Sequence, residues 1–318
     1  MVDRNFLKKR NSLEFKPLNI KELQMRKRNW HKYNRDLVKR GSITFFIDPN
    51  ALTEKPEENK RGRPRLFSLP LIYLLLVLKI QYRLTYRTLE GFAKSILPHI
   101  EPDIFLPTYS LICKRASHME ALLPKLSSRR PKVVLLDTTG IKVYGEGEWK
   151  VKMHGASKRR KWVKLHIAID ENTQEIIHFE ITKGHEADCK IGPKIIEKLP
   201  KPVETVIADG GYDTKRCREA INQIGAKDLI PPRKNSLLSP FMKRRNNALR
   251  EIKGLGGDQL AREIWGKLTR YSRRALVETS FSRLKRLYGE RFFSKKIENQ
   301  KIEGHIKCKM LNQMLLIT

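Results

Sequence analysis

Lys132-Val133-Val134-Leu135-Leu136-Asp137 is a short apolar run, half of it β-branched, that stops on a carboxylate. Runs of this length and composition read as buried strands. Thr205-Val206-Ile207-Ala208-Asp209 repeats the pattern, and Gly210 and Gly211 follow it. Residues 162–170 and 175–182 read as two more strands, with Asp170-Glu171-Asn172-Thr173 as the hairpin turn between them. Residues 188–199 and 213–224 have helical spacing, and 228–230 suit a short strand before Pro231-Pro232. Three strands followed by alternating helix and strand predict a mixed α/β domain.

Upstream of this block the pattern is helical. Residues 1–25 are polar, basic and without a clear period, as in a loose arm. Trp30, Tyr33, Leu37 and Val38 fall at roughly helical spacing, and the apolar Ile43, Phe45, Phe46 and Ile47 follow. Residues 53–65 have the composition of a linker. Their Lys-Arg-Gly-Arg-Pro-Arg segment reads either as a solvated basic linker or as a minor-groove contact. From Ser68 to Gln81 the chain reads as a buried helix, and residues 84–92 as a second, amphipathic one. Thr108 or Ser110 is placed to cap a third, which carries Lys114 and Arg115. Three short helices with a basic third one suit a helix-turn-helix-like module, and equally a plain helical bundle.

The chain has 318 residues and a formal net charge of +32, which points to a polyanionic partner, most simply nucleic acid. The charge is uneven. Residues 1–67 carry a net +10, 68–130 a net +5, 131–235 a net +5 and 236–318 a net +12. The middle third mixes many acids with its bases, as expected where carboxylates hold metal while the flanks hold a phosphate backbone. The start, Met1 to Arg10, is basic with no apolar stretch after it and does not read as a secretory signal. The longest apolar run, Leu71 to Leu78, is far shorter than the roughly 20 residues of a membrane span. Cysteines at 113, 189, 217 and 308 form no C-x-x-C pair, so they read as reduced thiols of a cytoplasmic protein.

Taken alone, Asp137 and Asp209 each read as the first residue of a turn. A third feature is more specific. Tyr271, Arg274, Glu278 and Lys285 fall, at about 100° per residue, within a stripe roughly 60° wide on one helix. Val277, Phe281, Leu284 and Tyr288 fill the adjoining arc and can bury against a sheet. The stripe sets one carboxylate between two cations, which suits a metal-binding Glu flanked by groups that grip phosphates. It also suits a salt-bridged helix face, because Arg274 and Glu278 are an i,i+4 pair.

The spacing Tyr271-x2-Arg274-x3-Glu278-x6-Lys285 resembles the Y-R-E-K signature of DDE-type bacterial insertion-sequence transposases, of the insertion sequence five family. Asp137-Thr-Thr-Gly-Ile-Lys-Val-Tyr-Gly-Glu-Gly-Glu-Trp149 is similar to that family's first-Asp block, and Ala208-Asp209-Gly-Gly-Tyr-Asp213 to its second. Lys161-Trp162-x2-Lys164-Leu-His166, Ile230-Pro-Pro-Arg-Lys-Asn235, Glu298-Asn-Gln300 and Arg28-Asn-Trp30 also look like that family. The resemblance spans roughly residues 26 to 315.

It implies an RNase H-like mixed sheet flanked by helices over residues 131–318, preceded by a small all-helical DNA-binding domain over 26–130. The interval of 69 residues from Asp209 to Glu278 leaves room for a short, helical insertion around 236–266. By the resemblance Asp137, Asp209 and Glu278 are the catalytic triad and the ligands of two Mg²⁺ ions, with Mn²⁺ as a substitute. The implied activity is cleavage at the element's ends and joining of the freed 3′-hydroxyls to target DNA. The partners are then double-stranded DNA and a second copy of the chain or more. Tyr271, Arg274 and Lys285 would position the strand. Lys158, Arg159, Arg160 and Lys161 are a second expected backbone contact, or else a solvated hairpin tip. Asp188 is a candidate support for the site, and Asp213 competes with Asp209 by proximity alone. Two rival readings share parts of this pattern: a nuclease that cuts without joining, and an inactive DNA-binding copy.

Overall fold

A computed structural model describes residues 29–53, 66–119, 123–144 and 161–316. The arm, most of the linker, Glu146, Glu148 and Lys158 to Arg160 lie outside the described residues, as does the side chain of Lys161.

The apolar runs form one five-stranded sheet: β1 (Val133–Tyr144), β2 (Lys161–Asp170), β3 (Ile176–Lys183), β4 (Thr205–Ala208) and β5 (Lys227–Leu229), in the order β3-β2-β1-β4-β5. β1, β2 and β3 pair antiparallel, while β4 lies parallel to β1 and β5 parallel to β4. The turn between β2 and β3 forms where its residues predict. The Asp170 carboxylate accepts from the backbone N–H groups of Asn172 and Thr173 and from the Thr173 hydroxyl.

Successive strand residues point to opposite faces, and both faces of this sheet are covered. Val134, Leu136, Val206 and Ala208 bury against α6 (Asp188–Glu197) and α7 (Lys215–Gln223). Leu135, Ile141 and Ile207 bury on the other face with α10 (Ala275–Tyr288) and α11 (Ile297–Leu315). Gly304 lets α11 lie close to β3, since a Cβ there would stand 2.7 Å from Ile181 Cδ1 and 3.2 Å from Phe179 Cε2.

The helices of the first half are α1 (Trp30–Gly41), α2 (Pro49–Thr53), α3 (Leu69–Gln81), α4 (Tyr86–Ile96) and α5 (Tyr109–Ala116). Ser68 caps α3 by accepting from the Leu71 N–H at 3.2 Å. Thr85 and Thr88 form a reciprocal capping box on α4. Thr108 precedes α5 but makes no side-chain cap; the Glu90 carboxylate accepts from the Tyr109 N–H instead, at 2.7 Å. The direction turns by 108° between Leu69–Gln81 and Tyr86–His99. α3 is apolar on every side because it is enclosed by α2, α4, α5 and α11. Helices α2 to α5 share one continuous apolar cluster with the α10–α11 face of the sheet. No single helix among the described residues is long and apolar enough to cross a membrane, and all four cysteines are free thiols.

Between β5 and α10 lie α8 (Lys243–Gly254) and α9 (Gln259–Leu268), helical as their sequence predicts. Ala248, Ile252, Ala261 and Trp265 form their small shared core, and Trp265 Nε1 donates to Glu251 at 2.8 Å. One expectation is corrected here. The segment from 270 to 288 is not a single α-helix. Arg270 sits in the left-handed region (φ 57°), Tyr271–Arg274 form a 3-10 turn, and the α-helix begins at Ala275. Tyr271 packs beside Gly266 and the Trp265 ring, and this contact with α9 breaks the helical period. The single α-helix therefore holds only from Ala275 onward; in the 3-10 turn residues three apart eclipse, so Tyr271 stays on the side of Arg274.

Candidate active site

The register places two of the three candidate carboxylates together. Leu136 pairs with Ala208, the last step of the β1–β4 ladder. Asp137 does not end its strand as the sequence predicts: β1 runs on to Tyr144, paired with β2, whereas Asp209 directly follows β4. The two are the next residues along neighbouring parallel strands, which lie roughly 4.8 Å apart. They share the parity of Leu135 and Ile207, so both belong to the face covered by α10. The buried residues of α10 are Val277, Ser280, Phe281, Leu284 and Tyr288, which leaves Glu278 at the rim of that contact.

α10 is tied down at both ends. At its start, Arg273 Nη1 donates to both carboxylate oxygens of Glu171, at 2.7 Å each, in the turn after β2. Near its end, Arg83 donates to the Leu287 carbonyl at 3.3 Å. Gly289 ends the helix with a positive φ, a conformation that glycine adopts without strain. The chain then returns to β1: Lys142 N–H donates to the Glu290 carbonyl at 3.0 Å, and Phe292 N–H to the Lys142 carbonyl at 2.7 Å.

The third carboxylate is joined to the first by an arginine. Arg274 Nη1 donates to Asp137 Oδ2 at 2.7 Å, and Nη2 donates to Glu278 Oε1 at 2.6 Å. Asp137 Oδ1 accepts from the Thr138 N–H at 2.8 Å. Asp209 Oδ1 accepts from the Gly211 N–H at 2.9 Å and so starts the short turn Gly210–Tyr212.

Burial raises the Asp137 pKa. The negative charges of Asp209 and Glu278 add to the rise, and the Thr138 N–H and Arg274 oppose it. Burial also works against the Arg274 cation, but Asp137, Tyr271, Glu278 and Asp209 outweigh it, so its pKa rises. Burial pushes the Tyr271 phenol up to about 12, with Asp209 and Asp137 adding to the rise. The three carboxylates, Tyr271 and Arg274 therefore lie within one another's fields. A groove of about 570 Å³ opens beside them, lined by Asp137, Thr138, Glu278, Phe281, Lys285 and Arg286 among others. A larger groove of about 710 Å³ runs along the free edge of β3 and holds none of the three carboxylates.

As the side chains rest, the described residues hold no cluster of three His, Cys, Asp or Glu side chains placed to bind an ion. The guanidinium of Arg274 stands in for one: a cation is already held between Asp137 and Glu278. Carboxylate oxygens are hard donors of the kind Mg²⁺ and Mn²⁺ take. The donor set thus fits a divalent ion that displaces the guanidinium.

Other candidates fall elsewhere. Asp213 is sealed away: Oδ1 accepts from Arg218 Nη2 at 2.8 Å, and Oδ2 from Arg245 Nε and the Arg233 N–H, each at 3.1 Å. Burial opposes its charge, but these partners win and hold its pKa below the usual value. Asp188 begins α6 and accepts from Lys164 Nζ at 2.9 Å. Lys114 is exposed on α5, whereas Arg115 donates to the Phe67 carbonyl at 2.8 Å.

Sequence reasoning missed Arg233 and Arg218. Arg233 donates to the carbonyls of Gly210 and Gly211, at 3.2 and 3.1 Å, and so holds the turn behind Asp209. Arg218 joins Asp213 to Asp228. Only the Ile230-Pro-Pro-Arg-Lys-Asn235 block hinted at the first, and nothing in the sequence singled out the second.

A mixed sheet with helices on both faces and carboxylates at neighbouring positions of two parallel strands is consistent with an RNase H-like DDE domain. Comparison with protein families agrees. Residues 128–313 match a family model described as a transposase DDE domain, and residues 38–146 match a second model of the same description. The first match covers more than half of the chain, so this protein belongs to the transposase DDE domain family.

Proposed function

We propose that the chain is an insertion-sequence transposase of the insertion sequence five type. It binds the terminal inverted repeats of its element, cleaves at the element's ends and joins the 3′-hydroxyls to target DNA. The reading rests on one observation above all: Asp137 and Asp209 stand side by side on parallel strands while Arg274 joins Glu278 to Asp137.

Asp137, Asp209 and Glu278 would hold two Mg²⁺ ions, or Mn²⁺ in their place. When bound, such ions activate the attacking oxygen and stabilise the leaving one in an in-line displacement. The chain's own residues do the rest. Arg274, released from the carboxylates, and Lys285, on the groove wall, grip the phosphate backbone; a guanidinium suits this through paired N–H donors. Tyr271 lies beside Arg274 at the start of α10 and helps to position the strand. The N-terminal helices, residues 26–130, bind the repeat with Lys114 on the DNA side, and Lys158 to Lys161 add a backbone contact. Bringing two DNA ends together requires at least two copies, working on bacterial DNA in the cytoplasm.

The test uses purified wild-type and Glu278→Ala protein. Each is incubated with Mg²⁺ or Mn²⁺ and a plasmid carrying the DNA that flanks the gene, and the products are sequenced. Cuts at both repeat ends, joined to new DNA and absent in the variant, are expected. Metal-dependent cuts without end preference or joining would replace this reading with a nuclease. End binding with no cuts would identify an inactive copy.

A further inference from the structure

The main-chain ladder between β1 and β4 stops at Leu136 and Ala208. Asp137 and Asp209 lie one residue beyond it, and the Asp209 charge adds to the cost of charging Asp137. Some other link must set their separation. Among the described residues, the next hydrogen bond between these two stretches is a side-chain one. Thr138 Oγ1 lies 2.9 Å from Tyr212 Oη. Thr138 follows the first Asp directly, and Tyr212 ends the short turn that Asp209 starts.

This link belongs to a buried chain of four side chains. Thr138 Oγ1 is also 2.7 Å from His166 Nδ1, and His166 Nε2 is 2.9 Å from Thr182 Oγ1. Thr138 stands opposite His166 in the β1–β2 register, on the face away from α10. His166 is wholly buried, and Tyr212 is 1% exposed. Burial lowers the His166 pKa to about 4, so the ring is neutral at pH 7 and has one donor and one acceptor.

The hydrogens then run one way. Tyr212 Oη has no other partner among the described residues, so it donates to Thr138 Oγ1. Thr138 in turn donates to His166 Nδ1, and His166 Nε2–H donates to Thr182. The Tyr212 ring is held from behind by Gly192 of α6, where a Cβ would stand 2.8 Å from Tyr212 Cδ1. Strands β1, β2 and β3 and the turn after Asp209 are thereby cross-linked through one polar layer.

We propose that Thr138, Tyr212 and His166 are positioning residues that set the spacing of Asp137 and Asp209 from the opposite face of the sheet. The two carboxylates sit between the last rung of the ladder and this side-chain brace, so neither can swing apart without breaking one of them. The proposal rests on reading Asp137 and Asp209 as the pair that holds metal. Partners that orient metal-holding side chains typically contribute about 10–100-fold in metal affinity or activity.

The test compares Thr138→Val, which keeps the shape and removes the hydroxyl, with Thr138→Ser, which keeps the hydroxyl. Tyr212→Phe and Asp137→Ala accompany them. Mn²⁺ binding to DNA-free protein is titrated by electron paramagnetic resonance, beside kcat for end cleavage, Kd for repeat DNA and the melting temperature. Thr138→Val and Tyr212→Phe should each weaken Mn²⁺ binding and lower kcat by about 10–100-fold. Repeat-DNA Kd should stay within about twofold, and Thr138→Ser should recover both losses. Folded Thr138→Val that binds Mn²⁺ as wild type does, where Asp137→Ala does not, overturns the brace alone. Should Thr138→Val fail to fold, Tyr212→Phe, which loses a single oxygen, decides by the same criterion. Wild-type Mn²⁺ binding in Asp137→Ala overturns the metal reading, and the brace with it.

Discussion

Two clusters of carboxylates and arginines lie on either side of the turn at residues 210–212, and they are opposites. In one, Asp137 and Glu278 share the guanidinium of Arg274, with Asp209 beside Asp137, and Glu278 is 58% exposed. In the other, Asp213 and Asp228 meet the guanidinium groups of Arg218, Arg244 and Arg245, and their side chains are 1% and 2% exposed. The first is short of positive charge and open to a groove; the second is charge-satisfied and closed. A site that takes up a cation needs the former condition. A junction that holds a loop needs the latter, because buried charges are tolerated only when paired.

The sharpest way to break this comparison is Arg218→Ala. It removes the guanidinium that two buried carboxylates share, leaving Asp213 with Arg245 and Asp228 with Arg244, and should cost about 3–5 kcal/mol, or prevent folding, in a urea titration. A loss under about 1 kcal/mol would show that the second cluster is not a closed ion network. Asp137→Asn is the counterpart in the open cluster. Burial already opposes the Asp137 charge, so stability should change by less than about 1 kcal/mol while cleavage is lost. Arg274→Met should separate the two jobs of that side chain. Mn²⁺ binding should tighten by roughly tenfold, since a competing cation is gone, while binding of repeat DNA weakens. Equal weakening of both would mean that Arg274 holds the carboxylates in shape rather than competing for them.

Smaller effects sharpen the picture. Lys285→Ala should reduce the salt dependence of repeat-DNA binding by about one phosphate contact. An unchanged slope would remove Lys285 from the DNA path. Burial lowers both His166 and His305 to about 4, with Lys309 adding to the effect at His305. An unfolded imidazole takes up its proton near pH 6.5. Between these values the unfolded chain binds more protons, so stability falls as pH drops from 6.5 towards 4 and is full above that window. A thermal midpoint that stays flat from pH 7 to about pH 5 would contradict the neutral, buried state of these rings.

Much of this was legible from residues alone. The apolar strand runs that lead into Asp137 and Asp209, the turn at Asp170 and the helical insertion are local features, although β1 runs on past Asp137 to Tyr144. Periodicity and capping depend on neighbours within a few residues. The apolar arc Val277, Phe281, Leu284 and Tyr288 is likewise a local pattern, and it is buried as expected. Locality also explains the misses. The spacing predicts one α-helix from Tyr271, but Tyr271 packs on Trp265, six residues earlier on another helix, and the first turn is 3-10. Arg115 follows the basic Lys114 and reads as an outward cation; its donation to the Phe67 carbonyl depends on a chain segment 48 residues away.

The sequence by itself determined which segments are strands and helices, and that two apolar strand runs lead into an Asp. Those properties follow from side-chain periodicity and turn chemistry within short windows. Only the tertiary structure decided which carboxylates stand together and which are neutralised. The parallel register of β1 and β4 sets Asp137 beside Asp209 across 72 residues of chain. Arg274 reaches Asp137 across 137 residues, and the arginines that seal Asp213 come from α7 and α8. Charge balance at a point in space is a sum over residues distant in the chain, so no local pattern contains it.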